Sequence, residues 1–500
     1  MLRKIRTTLA VVFFAGITLL FLDFTGTIHR WLHWMAHIQL VPALLTNTLI
    51  VLLPLLLTLV FGRIYCSVIC PLGVFQDLVS WFHNHNRKRP YTYSKAKTWL
   101  RWTMLGVMVA AFVAGIGSLV ALLEPYSAYG RIAATLFQPL WQLANNALAA
   151  IAERIDSYAF YSVDVWVKSM PTLIISAATF IIICILAWRG GRTYCNTICP
   201  VGTLLGALSR LSWLKVHIDT GLCRNCGSCA HYCKASCIDV KNHTIDPTRC
   251  VVCGDCIGKC SFGAITYGHQ AKPKTDDKAG KHNSESQTSV TPDIAKRSFL
   301  LATAMATTAA MAQEKKKVDG GLAKIEDKVA PERQTPLTPP GSLSARNLAK
   351  RCTGCQLCVS KCPNGVLRPS TELTKLMQPV MSYERGYCRP ECTDCSEVCP
   401  TGAIRHIAKA DKSAIQIGHA VWVKKNCIPL TDGVSCGNCA RHCPTGAIEM
   451  VPSMPDDNQS PRIPVINEAR CIGCGACENL CPARPFSAIY VEGHEVHRTI

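Results

Sequence analysis

Thirty cysteines in 500 residues set the first question, because so many thiols must be disulfides, zinc ligands or iron–sulfur ligands. Spacing decides between them. Cys223, Cys226, Cys229 and Cys233 form a C-x2-C-x2-C-x3-C run, and Cys250, Cys253, Cys256 and Cys260 repeat it. In such a run a tight loop presents three thiolates to one cube of iron and sulfide, while the fourth reaches the neighbouring cluster. One cluster is therefore expected on Cys223, Cys226, Cys229 and Cys260, and another on Cys250, Cys253, Cys256 and Cys233. Zinc sites pair two separated C-x2-C knuckles instead. The proline usual after the fourth cysteine is replaced by Lys234 and Ser261, and the extra thiol Cys237 reads as a buried neighbour of the cluster.

Four more runs follow near the C-terminus: Cys352-Cys355-Cys358-Cys362, Cys388-Cys392-Cys395-Cys399, Cys427-Cys436-Cys439-Cys443 and Cys471-Cys474-Cys477-Cys481. Each ends on a proline: Pro363, Pro400, Pro444 or Pro482. The second and third have wider first gaps, so Cys388 and Cys427 are the least regular ligands. Together the six runs predict six [4Fe–4S] clusters. Spacing alone leaves the C-terminal pairing open between a sequential order (first with second, third with fourth) and a nested one (first with fourth, second with third).

A different pattern occurs twice. Gly62-Arg-Ile-Tyr-Cys66-Ser-Val-Ile-Cys70-Pro-Leu-Gly73 matches Gly191-Arg-Thr-Tyr-Cys195-Asn-Thr-Ile-Cys199-Pro-Val-Gly202. This is an internal repeat, and two-fold packing of its halves would bring Cys66, Cys70, Cys195 and Cys199 together. Four soft ligands suit a further Fe–S or other thiophilic metal centre, or two dithiol–disulfide pairs; the plainer alternative is a turn shaped by Gly and Pro. Cys184, alone in an apolar run, reads as packing.

The elements that position these thiols are long apolar stretches and compact ferredoxin folds. Four stretches, about 7–24, 40–61, 102–123 and 170–188, approach or exceed the roughly 20 residues that cross a hydrocarbon layer. The expected architecture is an α-helical membrane domain of four transmembrane helices plus α+β ferredoxin-like [4Fe–4S] domains, one two-cluster and one four-cluster. The expected boundaries are 1–212 for the membrane domain, 213–271 for the first ferredoxin, 272–341 for a linker and 342–500 for the second. Lys and Arg crowd the connections on the N-terminal side of the spans, which places the N-terminus and the first ferredoxin in the cytoplasm. Within the linker, Lys296-Arg-Ser-Phe-Leu leads into small apolar residues ending Ala310-Met-Ala312, the parts of a twin-arginine-like export signal or a possible fifth span over 295–312.

The formal charge of +20 would suggest nucleic acid, but six clusters at about −2 each with their thiolates remove some −12. Much of the rest sits beside apolar spans, so nucleic acid is not an expected partner. His29, His33 and His37 fall at i, i+4, i+8 after the first span, and Glu124 sits at the same outer boundary. His33 and Glu124 are candidates for a quinol site; an interfacial belt is the plain reading of the histidines. No Gly-rich phosphate loop, C-x-x-C-H haem site or Ser–His–Asp set is present, which argues for an electron carrier rather than a stand-alone catalyst.

With its paired C-x3-C-P motifs, four apolar spans and first ferredoxin module, the stretch 1–270 resembles NapH-type quinol-dehydrogenase subunits. From Lys296-Arg-Ser-Phe-Leu onward the chain is similar to the NapG (MauM/NapG) four-cluster ferredoxins, through Pro339-Pro-Gly, Asn426-Cys-Ile and Ala469-Arg-Cys-Ile-Gly-Cys-Gly. The resemblance implies a fusion that passes electrons from the quinone pool, with quinol as donor, to a periplasmic reductase or electron carrier. It implies an inner-membrane location, with the four-cluster domain periplasmic. It also implies nested pairing, with Cys352, Cys355 and Cys358 joined by Cys481, Cys471, Cys474 and Cys477 by Cys362, Cys388, Cys392 and Cys395 by Cys443, and Cys427, Cys436 and Cys439 by Cys399. A rival is a maturation factor that reduces a metal such as copper for a respiratory metalloenzyme.

Overall fold

The computed structural model describes residues 2–23, 25–84, 91–157, 159–269 and 326–499. The export-like segment 295–312 lies outside the described residues.

The N-terminal part is helical. The helices Leu2–Leu22 and Met170–Gly190 are each 21 residues, long and apolar enough by length and composition to cross a membrane. The other two expected spans are not continuous helices, so two of the four expected crossings are long, unbroken helices. The stretch 40–61 breaks at Asn47, whose extended backbone ends the helix Leu40–Thr46 and whose side chain caps Thr48–Phe61 by accepting from Leu49 N at 2.9 Å. The stretch 102–123 breaks where Gly115, left-handed at φ 74°, closes the helix Thr98–Ala114 ahead of Gly117–Leu123. A helical run not anticipated from hydropathy, Pro125–Ile132 continuing through a π-turn over Ala133–Phe137 into Gln138–Glu153, packs into the same bundle. Its buried Arg131 and Gln138 make its apolar signal weak.

The ferredoxin parts are built on short antiparallel hairpins. In the first, Lys215–Ile218 pairs with Ile265–Gly268, and the hairpin Ile238–Asp239/Thr244–Ile245 lies between its two cysteine runs. In the second, the hairpin Leu367–Pro369/Pro379–Met381 links the first two runs, and Ile448–Met454/Asp457–Ile466 links the last two. Between these halves, Ile415–Trp422 pairs with the C-terminal strand Ile489–Thr499.

The two ferredoxin modules dock at opposite ends of Leu2–Leu22, a helix about 30 Å long at 1.5 Å per residue. At its start Arg3 pairs with Asp255 of the first module at 3.2 Å; just past its end Asp23 lies 3.7 Å from Lys361 of the second. The first module is fastened further by Trp213 N→Leu59 O (2.7 Å), Arg192 N→Lys234 O (2.8 Å) and Tyr267 Oη→Phe61 O (2.9 Å). The second is fastened by Gln138 Nε2→Ser360 O (2.9 Å), Lys168 Nζ→Val359 O (2.8 Å) and Trp166, held between the guanidinium groups of Arg368 and Arg385.

Candidate iron–sulfur sites

The backbone of the regular runs has one repeated shape. In the run from Cys223, Asn225 and Gly227 are left-handed; from Cys250, Val252 and Gly254; from Cys352, Gly354 and Gln356; from Cys471, Gly473 and Gly475. Alternating helical and left-handed residues turn successive N–H groups into one concavity, a nest that binds anions. Val252 at φ 52° and Gln356 at φ 68° adopt the shape without the freedom of glycine, and a β-branched residue there carries strain. That strain is intelligible when the loop must wrap an anionic cluster. The runs starting at Cys388 and Cys427 have no such left-handed pair between their cysteines, as their wider gaps anticipate. Three residues after the fourth cysteine a second left-handed residue turns the chain in five of six runs: Ser236, Gly263, Gly365, Gly402 and Gly446.

The thiols group as follows. Cys250, Cys253, Cys256 and Cys233 line one cavity of the first module, together with Cys237. Cys229 neighbours Cys223 and Cys226, and Ser228 Oγ meets Lys259 O at 3.4 Å, which brings the residues adjoining Cys229 and Cys260 into contact. In the second module Cys427, Cys436, Cys439 and Cys481 share one cavity, and Cys471, Cys474, Cys477 and Cys443 share another. Cys358 lies nearest Cys352, Cys355 and Cys399, with Cys395 following, and Cys395 lies nearest Cys388, Cys362 and Cys392. The pairing is sequential, which corrects the nested assignment of Cys481, Cys362, Cys443 and Cys399. The reason is local: a two-stranded hairpin folds each second run back onto the first of its pair.

The residues present fit iron–sulfur clusters. Backbone N–H groups point at sulfur from Ala447 to Cys443 (3.2 Å), Ala488 to Cys481 (3.3 Å), and Ile404 to Cys399 (3.4 Å), the kind of bond that tunes a cluster's potential. Among the described residues no three His, Cys, Asp or Glu side chains close around a single ion, and zinc would need every sulfur about 2.3 Å from it. Lys412, buried, also directs its ammonium at Cys388 Sγ at 3.2 Å. Burial pushes the Cys388 thiol up, and Lys412 works against that rise.

One departure from the usual pattern acquires a cause. Lys234, where proline is common, is buried and bridges Asp77 (3.2 Å) and Asp255 (3.0 Å). Asp77 in turn accepts from Arg192 at 2.6 and 2.8 Å and from Arg6 at 3.2 Å. Burial alone would raise the Asp77 carboxyl, but Arg192 and Lys234 outweigh it and hold it far below the usual carboxylate range. Burial would likewise strip the Lys234 proton, yet Asp77 holds that ammonium above its ordinary value. The lysine thus docks the first module. Cys237 is buried with its sulfur 3.6 Å from Cys233 Sγ. Neither Asp77 nor Arg131 was legible as important from spacing, because Arg6 reaches Asp77 from 71 residues away and the partners of Arg131 lie on other elements.

The candidate quinol residues differ in setting. His33 is exposed, its ring 6.2 Å from His29 and 6.1 Å from His37, so the three imidazoles do lie in file. Glu124 is buried and accepts from Tyr126 N (3.2 Å) and Ser127 N (2.5 Å), capping the helix Pro125–Ile132. No hydrogen bond joins it to His33. Cys66, Cys70, Cys195 and Cys199 are all buried. Cys184 is buried within Met170–Gly190.

Comparisons agree with this chemistry. A family described as a 4Fe–4S binding domain matches residues 44–90 and 172–220, the two C-x3-C-P repeats. A family described as a 4Fe–4S dicluster domain matches 351–403 and 434–484, one match per sequential pair of runs. The methylamine utilization ferredoxin-type protein MauM of Methylobacillus flagellatus is 31% identical over 167 residues, 32% of this chain and 70% of MauM. MauM of Paracoccus denitrificans is 33% identical over 170 residues, 32% of this chain and 73% of its own. The protein YccM of Escherichia coli is 23% identical over 228 residues, 45% of this chain and 56% of YccM. The nests, the thiol quartets and these likenesses place the chain among the ferredoxin-type 4Fe–4S proteins related to MauM, to which it belongs.

Proposed function

We propose that this protein is a membrane-bound electron conduit that takes electrons from quinol and passes them to a reductase or carrier on the opposite side of the membrane. Six [4Fe–4S] clusters, on the sequentially paired quartets, serve as its one-electron carriers. The observation that carries the reading is the docking of ferredoxin modules at both ends of the Leu2–Leu22 helix. Large apolar side chains are exposed around the bundle between them, among them Leu9, Val12, Leu49, Leu53, Leu56, Val109, Val113, Ile174, Ile181 and Ile185. Such a belt suits lipid. The broken stretches 40–61 and 98–123 complete the crossing in this reading, since helix interruptions at membrane depth are tolerated where neighbouring helices satisfy the freed backbone.

The first module faces the cytoplasm and the second the periplasm, as the Lys and Arg distribution suggests. When bound, a cluster supplies reversible one-electron chemistry. The chain's own part is to hold the thiols, aim N–H groups at sulfur and fix the modules on the bundle. A quinol gives up two electrons and two protons, and successive one-electron carriers divide the pair; His33 and Glu124 are the groups proposed to lie near that event. Anaerobic membranes supplied with a water-soluble menaquinol analogue should show cluster reduction by EPR. Clusters that dithionite reduces and quinol leaves oxidised would refute the quinol assignment.

A further inference from the structure

We infer that Cys66, Cys70, Cys195 and Cys199 hold one further thiolate-ligated iron–sulfur centre, through which single electrons cross between the two ferredoxin modules. The inference rests on the reading above of those modules as electron carriers.

The two repeats lock across a local two-fold axis. Arg63 Nη2 donates to Cys195 O at 3.3 Å, and Arg192 Nη1 donates to the matching Cys66 O. A Cβ on Gly73 would collide with Cys66 O and Arg192, and one on Gly202 with Cys195 O and Arg63. Glycine at both positions therefore lets each arginine reach across the turn. The four thiols are 4 to 5% exposed, and Cys70 and Cys199 interact across the axis with one another and with Cys195 and Cys66. All four cysteines are unbridged. Each matched 4Fe–4S segment supplies only two motif cysteines, so a four-thiolate site needs both halves.

Charge agrees with this geometry. Arg63 and Arg192 are fully buried. Arg192 is neutralised by Asp77. Arg63 donates to Asn196 Oδ1 (2.9 Å), Thr248 O (2.7 Å) and Cys195 O, with Nη2 3.9 Å from Cys66 Sγ, and no carboxylate is among these partners. A buried guanidinium without an anion is costly, and four protonated thiols supply none. Thiolates deprotonated by a metal centre supply it at the right place. Gln76 Nε2 and Gly202 N already point at sulfur, 3.1 Å from Cys195 and 3.3 Å from Cys199.

The position fits a bridge. On one side Arg63 holds Thr248 O, two residues before Cys250 of the first module. On the other, buried Tyr65 and Tyr194 lie beside Cys70 and Cys199, and Arg131 interacts with both Tyr194 and Cys355 of the second module. Gly130 is packed so closely that a Cβ there would strike Cys355 O. Each hop oxidises one centre by one electron and reduces the next by one, with no bond made or broken.

The test compares anaerobically purified wild type with Cys66→Ser, Cys195→Ser and Arg63→Gln for iron, acid-labile sulfide and EPR. A second readout is dithionite-driven reduction of the far module in sealed proteoliposomes where the reductant reaches only the near one. Each Cys→Ser variant should lose roughly two to four iron atoms per chain while the ferredoxin EPR signals persist, and far-module reduction should fall to the leak rate of protein-free vesicles. Arg63→Gln should keep its iron and shift the midpoint potential of the extra centre negative, because removing a cation favours the oxidised state. Unchanged iron and sulfide in both cysteine variants overturns the inference, as does a native mass showing disulfides at these positions. Dithionite makes the outcome independent of whether quinol is the natural donor.

Discussion

Replacing Asp77 by Asn probes how the first ferredoxin is held against the bundle. Asp77 receives Arg192 through two short hydrogen bonds, with Arg6 and Lys234 each at 3.2 Å. Arg192 is fully buried and Arg6 and Lys234 nearly so. An amide keeps the size and removes the charge, which leaves three cations crowded together with Asp255 as the remaining nearby acid for Lys234. Removing one partner of a buried pair costs about 3–5 kcal/mol, whereas an exposed pair is worth about 0–1 kcal/mol. Arg3–Asp255, with Arg3 60% exposed, belongs to the second kind and supplies the control. Limited proteolysis at the junction 209–215, read as the rate of release of the first module from detergent-purified protein, should rise more than about 100-fold in Asp77→Asn at 1.4 kcal/mol per decade. Arg3→Ala should change it less than about 5-fold. Equal behaviour of the two variants would show that the network does not dock the module.

The same network carries a pH dependence. The folded-state pKa of Asp77 is depressed, so its contribution is present above the unfolded carboxylate pKa of about 3.9 and is lost as pH falls below it; junction proteolysis should accelerate from about pH 5 to pH 3 in wild type and much less in Asp77→Asn. For the cluster pairing, Cys481→Ser should perturb the same EPR signal as Cys436→Ser, and Cys399→Ser the same as Cys355→Ser; a signal shared by Cys481 and Cys355 would restore the nested order. Gly475→Ala places a methyl into the Tyr383 ring at φ 79° and should cost at least about 2 kcal/mol in the thermal loss of the Cys471–Cys477 cluster absorbance, against a near-neutral Gly258→Ala, where a Cβ meets nothing.

Much of this arrangement was legible in the chain. The C-x2-C-x2-C runs fix local loop geometry, since three thiols within seven residues allow few backbone paths, and the left-handed pairs follow from that demand. The duplicated Gly-Arg-x-Tyr-Cys motif announced a symmetric site because identical turns related by an axis bring identical side chains together. The pairing of C-terminal runs was obscure because it depends on hairpins such as Ile448–Ile466, whose role emerges only when the chain folds back. Asn47 and Gly115 carry too little hydropathy signal to reveal the breaks they cause. Arg131 masks its helix, since a buried cation with partners on other elements looks in sequence like a loop residue.

The most direct test of the account is elemental analysis of anaerobically purified protein. Six four-iron clusters require about 24 iron atoms and as many acid-labile sulfides per chain, with a small excess from the bundle centre, and a brown sample. Colourless protein carrying zinc and no labile sulfide would contradict it.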